Sequence, residues 1–301
     1  MEKIKSITLR RYDEITEDSN PDLKEMPCKK INLQELDKFG NTLKDIKYDD
    51  LEDVEEIIEN IYNEKGKLIE EKIFISEKEL AERRTYKIDE NGKILNEFTH
   101  YLDESIDTLL YEYDENGNVF KKTLTDSDGQ LESKELFKYK NGKEISYVFY
   151  NENDDIIVER ISGYDSSGNL LRIVYSNLED DEKYRIENTY DGENKLIEAL
   201  KFNRNDDLVE KISYKHDENG RVVEIIAENQ NQNSISSFKY DDNGNVIEQK
   251  EMNNDETLNH FIEREFDKNG NVLKITVFVD GHNTMPDMNY ILEYEYDFYT
   301  S

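Results

Sequence analysis

The chain has 301 residues and a formal net charge of −32, from 39 lysines and arginines against 71 aspartates and glutamates. This charge disfavours binding to the phosphates of nucleic acid or to an anionic membrane, and it favours a basic protein as partner. The sequence has a single cysteine, Cys28, and no apolar run of about 18 residues, so we expect no disulfide framework, no multi-cysteine metal site and no membrane-spanning helix. Because the first residues also lack a signal-peptide core, we expect a cytoplasmic protein.

Residues 1–30 form the first element, which we predict to be an N-terminal cap. Residues 4–12 alternate as a strand does, and an acidic loop with Pro21 and Pro27 follows. Repeat arrays need atypical terminal units that cover their exposed edges. We therefore predict two parts, the cap at 1–30 and a single repeat array at 31–301.

The array is marked by a turn position that recurs every 24–26 residues and is glycine in every unit but one, where it is Asn194. The ten positions are Gly40, Gly66, Gly92, Gly117, Gly142, Gly168, Asn194, Gly220, Gly244 and Gly270. Such a fixed interval is the signature of a repeat protein, in which one structural unit is stacked many times.

Each unit reads as a β-hairpin. Tyr111 and Tyr113 lie six and four residues before Gly117, while Val223 and Ile225 follow a turn glycine with charged or mixed residues between them. This period of two predicts strands with one apolar face, and Asn-Gly between two such runs predicts a tight turn. A second, variable polar turn completes each unit, as at 125–129, 151–155, 203–206 and 229–233. Ten units then supply about twenty antiparallel strands of ~9 residues.

Two early segments also fit a helix. Apolar residues at 51, 54, 57, 58 and 61 have helical spacing, and residues 76–83 begin like a capping box. The repeat register places strands and a variable turn there. We favour strands, because the period extends along the whole array whereas helix propensity is a weak local signal.

The C-terminal end continues the last unit through residues 274–279 and a loop with Gly281 and Pro286. The final segment, 290–296, places aromatic and aliphatic residues at every second position. We predict a closing strand that caps the array.

Residues 111–119 read Tyr-Glu-Tyr-Asp-Glu-Asn-Gly-Asn-Val, and residues 238–246 read Phe-Lys-Tyr-Asp-Asp-Asn-Gly-Asn-Val. This unit resembles the YD repeat of RHS-type proteins, whose pattern is aromatic-x-Tyr-Asp-x-x-Gly followed by Arg or Asn and then Leu or Val. The resemblance extends over roughly residues 87–276. It implies long antiparallel β-ribbons that curl into hollow shells around a toxin domain. A weaker resemblance, resting on short Asn-Gly-Lys motifs, is to the repeats of YwqK-type antitoxin proteins.

Chemically reactive groups give no clear site. The turn sequence from Asp114 to Gly117 lacks the ligand spacing of an EF-hand, so we interpret its acids as turn formers. The four histidines, His100, His216, His260 and His282, are scattered over different units, and His216 stands at an aromatic strand position. We therefore expect no cofactor, no metal and no catalytic residue, and the sequence identifies no binding residue. The Asp/Glu-rich turns and the outward strand positions remain the general candidates for a binding surface.

Three functions are compatible with this sequence. The first is a non-catalytic immunity protein or antitoxin that neutralises a basic toxin domain, since repeats provide broad binding surfaces and an acidic face attracts a cationic partner. The second is a structural scaffold or surface protein with YD repeats. The third is a hydrolase, because 71 acidic residues neither identify nor exclude a catalytic carboxylate pair.

The expected fold is all-β, an antiparallel β-hairpin meander. Open twisted sheets rarely exceed about ten strands, and a flat sheet of about twenty would leave a long Tyr/Phe/Ile/Leu face in water. We therefore predict that the meander curls into a barrel-like or partly closed shell, with its apolar face inward and its acidic face outward.

Overall fold

The computed structural model describes residues 3–13, 15, 23–230, 233–253, 257–280 and 288–300. Within these ranges the chain forms 22 β-strands and one short 3₁₀ helix at Leu23–Glu25. The chain divides into two compact units, the first made of residues 1–85 and 236–301 and the second of residues 86–235. This division does not test the predicted boundary at residue 30 between an N-terminal cap and the repeat array, which stays a prediction.

The strands have 7 to 11 residues, close to the expected length. The strands that belong to the first unit, wholly or in part, are β1 Ile4–Asp13, β2 Lys29–Leu36, β3 Thr42–Tyr48, β4 Val54–Tyr62, β5 Leu68–Phe74, β6 Leu80–Ile88, β18 Asn233–Tyr240, β19 Val246–Asn253, β20 Leu258–Phe266, β21 Val272–Val279 and β22 Met288–Phe298. The strands that lie wholly in the second unit are β7 Ile94–His100, β8 Ile106–Tyr113, β9 Val119–Thr125, β10 Leu131–Lys140, β11 Lys143–Tyr150, β12 Ile156–Tyr164, β13 Leu170–Asn177, β14 Glu182–Tyr190, β15 Leu196–Asn203, β16 Leu208–His216 and β17 Val222–Asn229.

In the second unit, each strand from β7 to β16 pairs antiparallel with the next strand in sequence. The register between β8 and β9 is typical: Tyr111 faces Lys122, and a bulge then brings Tyr113 opposite Val119. The antiparallel hairpin meander predicted from the turn glycines is confirmed.

In the first unit, the two ends of the chain pair with each other. Strand β1 is hydrogen-bonded to β2 on one side and to β22 on the other, with Ile4 opposite Phe298 and Asp13 opposite Tyr290. The predicted closing strand is therefore present as β22.

The two segments that also fit a helix form strands and a turn, as the repeat register predicts. In β4, Ile57 faces Ile46 of β3 on one side and Phe74 of β5 on the other, so its side chain is almost fully buried. Residues 76–79 form the turn before β6. Pairing with two neighbours buries Ile57 between apolar side chains of β3 and β5, and this packing explains why tertiary context overrides helix propensity here.

The most deeply buried residues lie in the first unit. Tyr12, Ile15, Phe278 and Ile291 form one cluster, and Leu23, Met26, Cys28 and Phe261 pack against it. The segment between β1 and β2 thus covers apolar side chains of β21 and β22. Cys28 is half-buried and packs against this cluster. Residues Pro21, Gly281 and Pro286 lie outside the described ranges.

In the second unit, none of the described side chains is fully buried. One face instead carries a row of aromatic and cationic side chains that contact each other from strand to strand. The rings of Phe137 and Tyr147 lie 5.2 Å apart, those of Tyr175 and Tyr184 lie 4.8 Å apart, and the Arg160 guanidinium lies 5.2 Å from the Tyr147 ring. Cross-strand pairs of this kind contribute roughly 0.2–1 kcal/mol each and replace the dry core of a thicker domain.

No helix among the described residues is long and apolar enough to cross a membrane.

Candidate interaction surface

The repeated glycine turn has a geometry that explains its sequence. In the turn at 114–118, the Asp114 N–H donates to the Asn118 carbonyl at 2.8 Å and the Gly117 N–H donates to the Asp114 carbonyl at 2.9 Å. Gly117 has a φ of +83°, which is the left-handed conformation that closes a three-residue hairpin loop. The Asp114 Oδ1 atom accepts from the N–H groups of Asn116 and Asn118, both at 2.9 Å.

These hydrogen bonds also determine the charge of the aspartate. The side-chain amide and the N–H of Asn118 hold the pKa of Asp114 below its ordinary value, because they favour the ionised carboxylate. The two bonds from the backbone N–H groups of the second and fourth residues after the aspartate recur at Asp89, Asp191, Asp217, Asp241 and Asp267. The interpretation of these acids as turn formers thus has a direct structural basis.

The tyrosine before the aspartate connects successive repeats. Its hydroxyl donates to the carbonyl of the second residue after the previous turn glycine, as from Tyr113 to Ile94 at 2.7 Å. Equivalent bonds join Tyr164 to Glu144, Tyr190 to Leu170 and Tyr296 to Val272. Tyr62 and Tyr139 make the same bond, to Thr42 and Val119, although Asn63 and Lys140 follow them in place of aspartate. The Tyr-Asp pair therefore has two structural tasks, since the aspartate forms the turn and the tyrosine connects it to the previous unit.

Alternate turns of an antiparallel meander lie at the same edge of the sheet, so the second unit has two distinct rims. We call the rim with the repeated glycines the fixed rim; it comprises the turns 89–93, 114–118, 140–143, 165–169, 191–195 and 217–221. We call the opposite rim the variable rim; it comprises the turns 101–105, 126–130, 151–155, 177–182 and 203–207.

The two rims differ in charge. The variable rim has thirteen acidic residues, Asp103, Glu104, Asp126, Asp128, Glu152, Asp154, Asp155, Glu179, Asp180, Asp181, Glu182, Asp206 and Asp207, and one basic residue, Arg204. The fixed rim has nine acidic residues, Asp89, Glu90, Asp114, Glu115, Asp165, Asp191, Glu193, Asp217 and Glu218, and five basic residues, Lys93, Lys140, Lys143, Lys195 and Arg221. Negative charge in this unit is thus concentrated at one edge.

The rims also differ at the left-handed position of the turn. On the fixed rim this position is usually glycine, but on the variable rim Glu104, Asp154, Asp181 and Asp206 occupy it with φ between 52° and 72°. The left-handed conformation costs a non-glycine residue roughly 1–2 kcal/mol. The variable rim therefore keeps carboxylates at positions where glycine would relieve backbone strain, and retained strain is typical of functional sites. The carboxylates of Asp154, Asp181 and Asp206 form ion pairs with Lys134, Arg204 and Arg185, whereas Glu104 forms none with any described residue.

Two leucines are exposed among these acids. Leu102 is 71% exposed and Leu178 is 60% exposed, and each follows the first residue of a variable turn. The two turns are six strands apart, a distance of about 29 Å at ~4.8 Å per strand. Glu179 and Glu182 lie beside Leu178, are exposed and form no ion pair with any described residue. The variable rim therefore offers separated apolar side chains within a strongly negative edge.

Other ionisable groups of the described chain do not assemble into a reactive centre. Burial raises the pKa values of Tyr111 and Tyr147 to about 12, so both hydroxyls stay protonated at neutral pH. His216 is half-buried at its aromatic strand position, and His260 lies 3.9 Å from Glu251. No group of three potential metal ligands occurs among the residues that were described. His282 lies outside those residues.

The sequence pointed to the acidic turns in general but did not separate the two rims. The sequence contained the information needed to separate the rims, because alternate turns of a meander lie at the same edge of the sheet. The exposed leucines were missed, since a single apolar residue in a polar turn gives no periodic pattern.

No protein-family model matches the sequence, and comparison with curated proteins gives no match. Among solved structures, a chain of the TcdB2-TccC3-Cdc42 crystal structure aligns with 94% of this chain at 11% identity and a TM-score of 0.33. This chain spans 19% of that chain, and it spans 20% of the matching chain in a TcdB2-TccC3 structure, also at 11% identity and a TM-score of 0.33 over 95% of this chain. A porin-like protein from Bacteroides uniformis ATCC 8492 aligns over 98% of both chains at 11% identity and a TM-score of 0.34. Similarities at this level carry no inference about function.

Proposed function

We propose that this chain is a non-catalytic protein-binding repeat protein whose variable rim holds a basic protein. In its most specific form, the proposal is an immunity protein or antitoxin that neutralises a basic toxin domain in the cytoplasm. The observation that carries it is the concentration of acidic residues on one rim, thirteen against a single basic residue, with Glu104 kept at a strained left-handed turn position.

We further propose that the repeats are of the YD type found in RHS-like proteins. The support is the role of the motif residues in this chain: Asp114 organises the turn, Gly117 closes it and Tyr113 connects it to the previous unit. Each residue type in the motif thus has a physical reason at its position.

The dimensions and chemistry of the variable rim suit a protein partner. The distance of about 29 Å between the Leu102 and Leu178 turns matches the width of an interface of ~800 Å² per partner. The acidic residues would steer a cationic partner and fix its orientation, because electrostatic complementarity acts mainly on association rate and specificity. The leucines would supply desolvated contacts, since affinity comes from a few well-packed side chains.

Growth rescue tests the proposal. The chain is co-expressed with the toxic product of a neighbouring gene, and the rescuing pair is then studied by calorimetry at low and high ionic strength. We expect rescue, and an affinity that falls steeply as salt rises because the attraction is between screened charges.

Matched variants separate the rim from net charge. Glu179→Gln with Glu182→Gln removes two exposed charges from the variable rim, and Glu115→Gln with Glu218→Gln removes two from the fixed rim. We expect only the first pair to weaken rescue and binding. Equal effects of both pairs would refute the assignment to the variable rim, and absence of both rescue and binding would instead favour a scaffold role.

A glycine variant separates binding from stability. Glu104→Gly removes a charge and relieves backbone strain in the same step, so stability should be maintained within about 1 kcal/mol while binding weakens. Loss of stability without loss of binding would show that Glu104 is structural.

A further inference from the structure

A cleft of about 720 Å³ opens at the fixed rim of the second unit, between the turn that joins β10 to β11 and the turn that joins β12 to β13. Its walls include Lys140, Lys143, Ile145, Ile161, Gly163 and Tyr164. We call it the Gly163 cleft. It lies at the rim opposite the variable rim, and three of its features depart from the repeat pattern.

The first departure is the turn between β10 and β11. Lys140 pairs directly with Lys143, and the loop consists of Asn141 and Gly142, with φ values of 53° and 74°. These values define a two-residue type I′ hairpin in place of the three-residue loop with its leading aspartate. The shorter turn leaves space beside the following turn and removes one carboxylate from this part of the rim.

The second departure is Gly163, within strand β12. Its φ lies outside the left-handed range, and a Cβ atom at this position would meet nothing closer than the Arg172 Cβ at 3.9 Å. The backbone therefore does not require glycine here. A strand-interior glycine weakens the strand, and it commonly marks a place where another group approaches closely. The missing side chain leaves part of the cleft open.

The third departure is electrostatic. Lys140 and Lys143 are cross-strand neighbours, and like charges placed directly opposite each other are destabilising. Neither lysine forms an ion pair with any carboxylate in the described part of the chain, although the protein carries a net charge of −32. The Lys143 ammonium lies 5.5 Å from the centre of the Tyr164 ring. An unneutralised cationic pair in so acidic a chain indicates a site for an anion.

The remaining lining provides an apolar wall and small polar groups. Ile161 is 58% exposed, which is unusual for an isoleucine within a strand. Asp165 also lines the cleft, but its two carboxylate oxygens accept hydrogen bonds from the N–H and the side-chain amide of Asn169 at 2.8 and 2.9 Å. Both of its oxygens are thus engaged in the turn, whereas neither lysine has a carboxylate partner among the described residues.

We propose that the Gly163 cleft binds a small organic anion with an apolar body. The phosphate or carboxylate lies between Lys140 and Lys143, and the apolar part lies against Ile161 in the space that Gly163 leaves open. The site is separate from the variable rim, so it does not depend on the function proposed above.

Three probes divide the proposal into its parts: phenyl phosphate, inorganic phosphate and phenol, each titrated by calorimetry into the full chain. Phenyl phosphate should bind at one site and more tightly than either of the other two, because it alone has both the charge and the apolar body. Equal affinity for inorganic phosphate would reduce the site to general anion attraction and overturn the proposal.

Two variants with matched controls locate the site. Gly163→Leu fills the space proposed for the apolar body, and Lys140→Gln removes one contact to a charged group. Each should weaken phenyl phosphate binding by about tenfold or more. The controls are Gly192→Leu, at a glycine on the same rim with open space around it, and Lys138→Gln, at an exposed lysine of the same strand outside the cleft. All four proteins should keep a β-sheet circular dichroism spectrum. Binding that survives Gly163→Leu and Lys140→Gln unchanged, or the absence of phenyl phosphate binding to the parent chain, would refute the proposal.

Discussion

Replacing Gly117 by alanine tests whether the repeat glycine is needed for a contact with a neighbouring side chain as well as for its own backbone conformation. Gly117 and Gly129 both have positive φ, +83° and +76°, so alanine is strained at either position. Their surroundings differ. A Cβ at Gly117 would overlap the Lys93 ammonium and approach its Cε within 3.4 Å, whereas a Cβ at Gly129 would meet nothing within 4 Å.

The expected difference follows from what Lys93 does. Its Nζ donates to the Gly117 carbonyl at 3.3 Å and lies 4.8 Å from the centre of the Tyr113 ring. Left-handed strain costs roughly 1–2 kcal/mol at both glycines, reduced by ~0.4–1 kcal/mol because alanine restricts the unfolded chain. Displacement of Lys93 removes a cation–π contact of ~0.5–1 kcal/mol and weakens a hydrogen bond at Gly117 alone. We therefore expect Gly117→Ala to destabilise by about 1 kcal/mol more than Gly129→Ala.

Equilibrium urea unfolding measures this difference, followed by both circular dichroism and tyrosine fluorescence. The two probes must coincide, because repeat arrays can lose two-state behaviour and a free energy is then undefined. Repeating the pair in a Lys93→Ala background should abolish the difference. If Gly117→Ala and Gly129→Ala lower stability equally in the parent chain, the link through Lys93 is wrong and only the turn conformation matters.

Four further outcomes follow from the same contacts. Tyr113→Phe should lower the free energy of unfolding in urea by ~0.5–1.5 kcal/mol, because it removes the hydroxyl that donates to the Ile94 carbonyl. The control Tyr175→Phe should have little effect, since the Tyr175 hydroxyl makes no hydrogen bond within the described chain. Equal losses in the two variants would argue against the inter-repeat bond. Asp114→Asn should cost less than Asp114→Ala, since asparagine retains the oxygen that accepts from the turn N–H groups, and the reverse order of melting temperatures would contradict the turn geometry. The turn aspartates have pKa values lowered from 3.8. The stability that they contribute should therefore be complete above roughly pH 4 and be lost as pH falls through the lowered values. Acid unfolding followed by circular dichroism measures this loss, and its absence would refute the prediction. The pKa values of Tyr111 and Tyr147 are raised from 10.0 to about 12. The stability that these two tyrosines contribute should therefore be complete below pH 10 and decline as pH rises through 12. Tyrosinate absorbance that appears fully at pH 10 in the folded protein would exclude the raised values.

The sequence alone was sufficient to predict the hairpins, the turn positions and the antiparallel class. These features are local: the period of two defines a strand, and the spacing from Asp114 to Gly117 defines a turn within five residues. Even the segment around Ile57, which also fits a helix, was assigned correctly, because the repeat interval carries information from the other units. Repetition thus compensates for the weakness of local propensity.

Only the tertiary structure decided the features that join distant parts of the chain. The bond from Tyr113 to Ile94 spans 19 residues, and the pairing of β1 with β22 joins residues from the two ends of the sequence. Both depend on the register between strands, which is set by the sum of many weak cross-strand contacts rather than by any one motif. The same applies to the candidate sites. Carboxylates at positions such as Glu104 become one rim, and Lys140 and Gly163 become one cleft, only because antiparallel pairing brings alternate turns to the same edge.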